Sequence, residues 1–192
     1  MRIVVVALLV AALVAVGCGC APVTAPAGPD ISGCPWGYVG GTIVARAKTE
    51  VKGTEDDPVY LTERYSLKAY RIVVPNGTYT VRFHFAETYA RITAAGQRVY
   101  TVSIEGKPVL EDFDPFKEAG AQFTAVVKEC QADVADGELT IEFADKIQNP
   151  MINGLEVIAP GGSALRINCG STEAYTSPAG RLWHKDQPFP TP

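Results

Sequence analysis

Residues 70–85, Tyr70-Arg-Ile-Val-Val-Pro-Asn-Gly-Thr-Tyr-Thr-Val-Arg-Phe-His-Phe85, alternate apolar and polar side chains with a period of two. That period is the signature of strands that bury one face, since successive side chains in a strand point to opposite sides. Tyr79, Val81, Phe83 and Phe85 point one way and Thr80, Arg82 and His84 the other. Asn76-Gly77 between the two runs tolerates the positive φ of a tight turn, so the stretch predicts a hairpin. The same residues form an Asn-Gly-Thr glycosylation sequon, but the turn reading is favoured over it.

Further strands are expected at short intervals. They are Arg98 to Glu105, Pro108 to Leu110, Gln122 to Lys128, Cys130 to Val134, Glu138 to Phe143 and Met151 to Ile158. Turn signals separate several of them, at Glu105-Gly106 and Asp136-Gly137. Helical periodicity is confined to a turn near Phe116 to Gly120. Regular short strands with glycine turns indicate an all-β fold, a two-sheet antiparallel β-sandwich of jelly-roll type.

A chain of 192 residues has room for one well-cored domain plus an appendage. The appendage is N-terminal. Ile3 to Val16 is an uninterrupted apolar run of signal-peptide length, too short to span a bilayer comfortably. Small residues lead into Cys18, as in a bacterial lipoprotein signal in which that Cys is lipidated; an ordinary signal peptide cut nearby is the alternative. The expected division is a signal peptide over 1–17, a Pro/Ala/Gly-rich tether over 18–33 and the sandwich over 34–192. The implied localisation is export to a bacterial cell envelope, as a membrane-anchored lipoprotein or a secreted protein.

Formal net charge is −4, without a basic stripe. Neutralising phosphates needs clustered Lys and Arg, so a nucleic-acid partner is excluded. Beyond the tether stand Cys34, Cys130 and Cys169, none in a paired zinc-ligand spacing. Export permits a disulfide, but sequence does not supply a pairing, and a buried small hydrophobe is the plain reading of Cys130. The acidic groups Glu55-Asp56-Asp57 and Asp112/Asp114 lack the glycine punctuation of a calcium loop and read as solvated loop carboxylates. No nucleophile accompanies His84 or His184. No metal, cofactor or catalytic activity is expected.

Several longer words resemble the malectin domain. They include Asp57-Pro-Val-Tyr-Leu-Thr-Glu-Arg-Tyr65, Phe83-His-Phe-Ala-Glu-Thr-Tyr89, Gly96-Gln-Arg-Val-Tyr100, Asp136-Gly-Glu-Leu-Thr-Ile-Glu-Phe143 and Asn149-Pro-Met-Ile-Asn-Gly154. Arg166 to Phe189, RINCGSTEAYTSPAGRLWHKDQPF, is similar to the opening of that domain, yet here it follows the rest. Ala159-Pro-Gly-Gly-Ser-Ala164 is the linker before it. Either one domain is circularly permuted, with the family's first strand and loop at 164–190, or the chain is a fragment of a tandem array. Permutation is favoured, because each expected part occurs once; its strand should then fill the vacant place in the sandwich and Phe189 should end near Trp36.

The resemblance implies a non-catalytic module that binds carbohydrate on loops at one end of the sandwich, a glucose-containing oligosaccharide among the candidates. By the same resemblance Tyr65 and Tyr89 are ligand-contacting residues, with Trp36 or Tyr38 as a third aromatic. Tyrosine suits the task, offering a ring to sugar C–H faces and a hydroxyl to their rims. Animal members of the family carry an aromatic where this chain has Ala90, and the family places an Asp where it has Gln148. Gln148 can donate and accept hydrogen bonds but lacks charge. Trp183 and Asp186 in the displaced loop are divided between packing and binding. Glu63 and Arg64 could face the ligand, but an internal ion pair or loop brace is the favoured reading. An envelope scaffold that has lost sugar binding and takes a protein partner is the alternative function, with a glycoside hydrolase a distant third.

Overall fold

A computed structural model describes residues 28–47 and 50–190. The expected signal peptide, most of the tether and Cys18 lie outside these residues. Twelve strands form two six-stranded sheets. The first sheet runs β1 (Trp36–Ala45), β2 (Thr62–Val73), β7 (Glu138–Ile147), β4 (Val99–Ile104), β5 (Lys107–Phe113), with β8 (Met151–Ile152) also paired to β2. The second runs β11 (Tyr175–Thr176), β12 (Leu182–Lys185), β10 (Ala164–Asn168), β9 (Gly154–Ile158), β3 (Gly77–Phe85), β6 (Val126–Val134). Pairing is antiparallel except between β10 and β12, which run parallel. Two short helices, α1 (Asp57–Tyr60) and α2 (Pro115–Ala119), sit in connections.

The inner faces follow the period of two. Tyr70, Ile72, Tyr100, Val102, Leu139 and Ile141 from the first sheet meet Tyr79, Val81, Phe83, Phe85, Leu155 and Val157 from the second, all fully buried. Ile31 is buried in the same core, so the packed body reaches into the stretch read as tether. Its N–H donates to the Ser163 hydroxyl at 3.1 Å, which ties this segment to the 159–164 linker.

The hairpin expected at Asn76-Gly77 does not form. The strands on either side belong to opposite sheets: β2 pairs with β1, β7 and β8, and β3 pairs with β6 and β9. Pro75-Asn76 therefore carries the chain across the core, with the Tyr79 hydroxyl donating back to the Pro75 carbonyl at 2.7 Å. Asp136-Gly137 makes the return crossing from β6 to β7. The two-residue hairpin is Glu105-Gly106 between β4 and β5, where both residues have positive φ (52° and 70°), the type I′ pattern.

Other boundaries shift. The strands expected over 122–128 and 130–134 are one strand, β6, and the run from Met151 is interrupted at Asn153. Asn153 turns its side chain into backbone partners instead: Oδ1 accepts from Ala86 N, and Nδ2 donates to the Tyr60 and Thr62 carbonyls. Cys34, Cys130 and Cys169 are free; Cys169 is the buried one, while Cys130 is half-buried. The loop carboxylates are engaged. Asp114 caps α2 through Lys117 N, Asp56 pairs with Arg181, and Asp112 pairs with Lys146.

Residues 166–189 are built into the sandwich. β10 lies between β9 and β12, and the chain then crosses to the edge of β1. There Tyr38 N donates to the Gln187 carbonyl at 2.9 Å, and Phe189 N donates to the Tyr38 carbonyl at 3.0 Å. The Gln187 side-chain amide also donates to the Trp36 carbonyl. On the outer face of the second sheet Val51, Val59, Tyr60, Ala86 and Trp183 form a small second core.

Candidate functional site

The pairing of β8 with β2 places Met151 opposite Tyr65, and Ser66 N donates to the Pro150 carbonyl at 2.9 Å. The loop carrying Gln148 and Asn149 is thereby held beside Tyr65. A second loop, from the end of β3, brings in Tyr89. Its brace is Glu87, fully buried, which accepts from Tyr89 N at 2.9 Å and from Arg98 Nε at 2.6 Å. Arg98 also donates to the Asn149 carbonyl, so one guanidinium ties both loops together.

These elements enclose a half-open cavity of about 350 Å³. Val44, Arg46, Glu63, Tyr65, Tyr89, Arg98, Gln148 and Asn149 line it. Tyr65 and Tyr89 are half-buried while Gln148 and Asn149 are exposed, so the rings keep accessible surface while the amides stand at the rim. Arg46 lies 5.9 Å from the centre of the Tyr89 ring and donates to Glu63 at 2.9 Å and to Thr88 at 2.9 Å. Burial pushes the Glu63 carboxyl above its ordinary range; Arg46 and the Thr88 hydroxyl pull the other way but do not cancel it. Chemically the cavity offers rings, amides and a guanidinium, the equipment for holding a polyhydroxylated ligand.

The residues singled out in the sequence divide into two groups. Tyr65, Tyr89 and Gln148 converge on the cavity. Trp36, Tyr38 and Asp186 do not line it. Trp36 is buried in the main core, its indole 6.2 Å from the His184 ring. Tyr38 is stacked beneath the Arg64 guanidinium, 3.2 Å from its ring centre. Asp186 accepts from Arg64 Nε at 2.6 Å, the Tyr70 hydroxyl at 3.0 Å and Gly170 N at 2.7 Å. Its burial raises the carboxyl pKa, against the opposing pull of Arg64, Gly170 and Tyr70. Glu63 and Arg64 each make the expected ion pair, with Arg46 and Asp186, and Glu63 also faces the cavity. Trp183 is buried in the second core. Ala90 is exposed beside Tyr89.

Sequence reasoning missed Val44, Arg46, Arg98 and Asn149. Arg98 had a visible signal, an arginine immediately before an alternating strand, but its buried partner Glu87 lies across a loop that only folding closes. Among the described residues no helix is long and apolar enough to cross a membrane.

Comparison with known proteins agrees with this architecture. The chain is 39% identical over 103 residues to Receptor-like protein 4 of Arabidopsis thaliana, a match covering 53% of this chain and 16% of that protein. Among solved structures, a β-glucuronidase of Bacteroides uniformis superposes with a TM-score of 0.59 at 28% identity, over 65% of this chain and 14% of that one. The plant receptor-like kinase ANX2 superposes with a TM-score of 0.54 at 19% identity, over 65% of this chain and 40% of that one, a likeness of fold. The chain thus spans well under half the length of each of these proteins. The sequence profile of the Malectin domain matches residues 37–156, more than half of the chain, and the chain belongs to the Malectin domain family.

Proposed function

We propose that the chain is a non-catalytic module that binds a carbohydrate in the cavity between Tyr65 and Tyr89. The observation that carries this reading is the meeting of two half-buried tyrosine rings, from β2 and from the loop after β3, with the side chains of Gln148 and Asn149 at one opening. Membership of the Malectin domain family supports it. A glycan array followed by titration of the best ligand tests it: wild-type protein binds a defined set of glycans, and Tyr65→Ala with Tyr89→Ala loses at least about tenfold in affinity. Undiminished binding by the double variant would sink the site assignment.

We also propose export with lipid attachment at Cys18. Several acyl chains on one residue would hold the protein at a membrane where a single chain would not. Incorporation of labelled fatty acid that disappears in Cys18→Ser tests this. Circular rotation of the segment order accompanies the reading, supported by the interior position of β10 between β9 and β12. The second functional reading, an envelope scaffold that takes a protein partner, draws on the exposed Ala90 beside Tyr89, where no second ring stands. Indifference to every glycan, together with co-purification of one protein partner, would favour it.

A further inference from the structure

Several acceptor atoms around the cavity are already engaged, while the Tyr65 and Tyr89 hydroxyls and the Asn149 side-chain amide take no partner among the described residues. Glu63 uses both oxygens, Oε1 for Arg46 at 2.9 Å and Oε2 for the Thr88 hydroxyl at 2.8 Å. The Asn149 carbonyl takes Arg98, and the Tyr89 carbonyl takes the Gln122 amide at 2.8 Å. Gln148 Oε1 accepts the N–H of Asn149 at 3.2 Å. That bond leaves Nε2 free to donate, while Oε1 keeps a second lone pair.

Charged donors are left over as well. Arg46 commits Nε to Thr88 and Nη2 to Glu63; its other terminal nitrogen makes no hydrogen bond among the described residues. Its side chain is 23% exposed, so a ligand can reach it. Arg98 is not available in the same way, being committed to Glu87 and the Asn149 carbonyl. The charges of Arg46 and Arg98 are matched by Glu63 and Glu87, so the site is net neutral, with the Glu63 oxygens turned to Arg46 and Thr88. An Asp at position 148 would add a negative charge and present acceptors. Gln148 instead holds a donor in place from a backbone at φ 61°, a conformation few non-glycine residues adopt.

We propose that this cavity selects an acidic glycan, one whose ring carries a carboxylate, with Arg46 and Gln148 receiving the carboxylate while Tyr65 and Tyr89 hold the ring. The inference rests on the carbohydrate reading and narrows it to uronic-acid-containing oligosaccharides. A carboxylate offers two acceptors, one for the remaining Arg46 nitrogen in a charge-assisted hydrogen bond and one for Gln148 Nε2.

The test is titration of the full chain with oligomers of glucuronate, galacturonate and mannuronate, each beside its carboxyl-reduced counterpart and a glucose oligomer series. At least one uronate series binds about tenfold or more tightly than its reduced counterpart, and the gap narrows as salt is raised. Gln148→Asp, a change on an exposed loop, removes that preference with the thermal unfolding midpoint unchanged, whereas Gln148→Asn keeps part of it. Equal or tighter binding of the neutral oligomers, or a preference that survives Gln148→Asp, overturns the acidic selection and leaves the carbohydrate reading standing. Failure of every series overturns the acidic selection, and failure across a glycan array as well removes the carbohydrate reading itself.

Discussion

Arg64 and Asp186, 122 positions apart in the chain, meet at 2.6 Å with their side chains 5% and 2% exposed. The pair joins β2, the strand that carries Tyr65, to the C-terminal segment that closes the edge of β1. Removing one member leaves the other charged and buried. Asp186→Ala is therefore expected to cost about 3–5 kcal/mol in denaturant unfolding. Asp186→Asn, which keeps hydrogen-bonding capacity, should cost less. A loss below about 1 kcal/mol for the alanine variant would show that the segment is held by other contacts.

Tyr38 separates the roles of packing and binding. Its ring stacks on Arg64 and it does not line the cavity. Tyr38→Ala should lower stability by about 1–2 kcal/mol, as expected for a desolvated cation–π contact plus lost packing. Affinity for whichever glycan binds should change less than about threefold, well short of the tenfold expected of a direct contact. A loss of binding equal to that of Tyr65→Ala would return Tyr38 to the site.

Gly170 stands in the left-handed region at φ 80°, and a Cβ there would lie 2.3 Å from the Glu63 carbonyl oxygen. Its N–H is also one of the Asp186 partners. Gly170→Ala combines backbone strain with a clash against the strand that supports Glu63, so a loss of at least about 2 kcal/mol is expected. Thermal unfolding reads this directly, and a neutral substitution would contradict the close approach of the segment to β2.

Glu156 predicts a pH dependence away from the cavity. Burial alone would raise its carboxyl, but His84 Nε2 at 2.9 Å and Arg166 Nε at 2.7 Å outweigh burial and hold it below its ordinary value of 4.5. A depressed folded pKa means that the folded protein binds fewer protons than the unfolded chain in this window. The contribution to stability is present above 4.5 and is lost as pH falls through the lower, folded value. The stability advantage of wild type over Glu156→Gln should therefore shrink as pH is lowered from about 6 to about 3. An advantage that grows toward acid would reverse the assignment.

The layer structure was legible because burial follows the period of two; Tyr79, Val81, Phe83 and Phe85 are all inside, as their spacing requires. Pairing was not. Asn76-Gly77 carries the stronger local preference for positive φ, yet it crosses between sheets, while Glu105-Gly106, with Glu105 at φ 52°, closes the hairpin. A turn fixes its own dihedrals, while the partner of each strand is decided by contacts far along the chain, as between β3 and β6. The same limit applies to the site. Tyr65 and Tyr89 stood out by resemblance, but Arg46 and Arg98 acquire their positions only through Glu63 and Glu87. Trp36, Tyr38 and Asp186, chemically suited to a sugar, are taken up by the joint between β1, β2 and the C-terminal segment.

The measurement that bears most directly on the central claim is calorimetric titration of the protein with the glycan selected by an array, repeated with Tyr65→Ala, Tyr89→Ala and Tyr38→Ala. Binding by wild type and Tyr38→Ala, with a loss of about tenfold or more in both cavity variants, is the predicted result. Equal affinity in all four proteins, or no affinity for any glycan in the wild type, would contradict it.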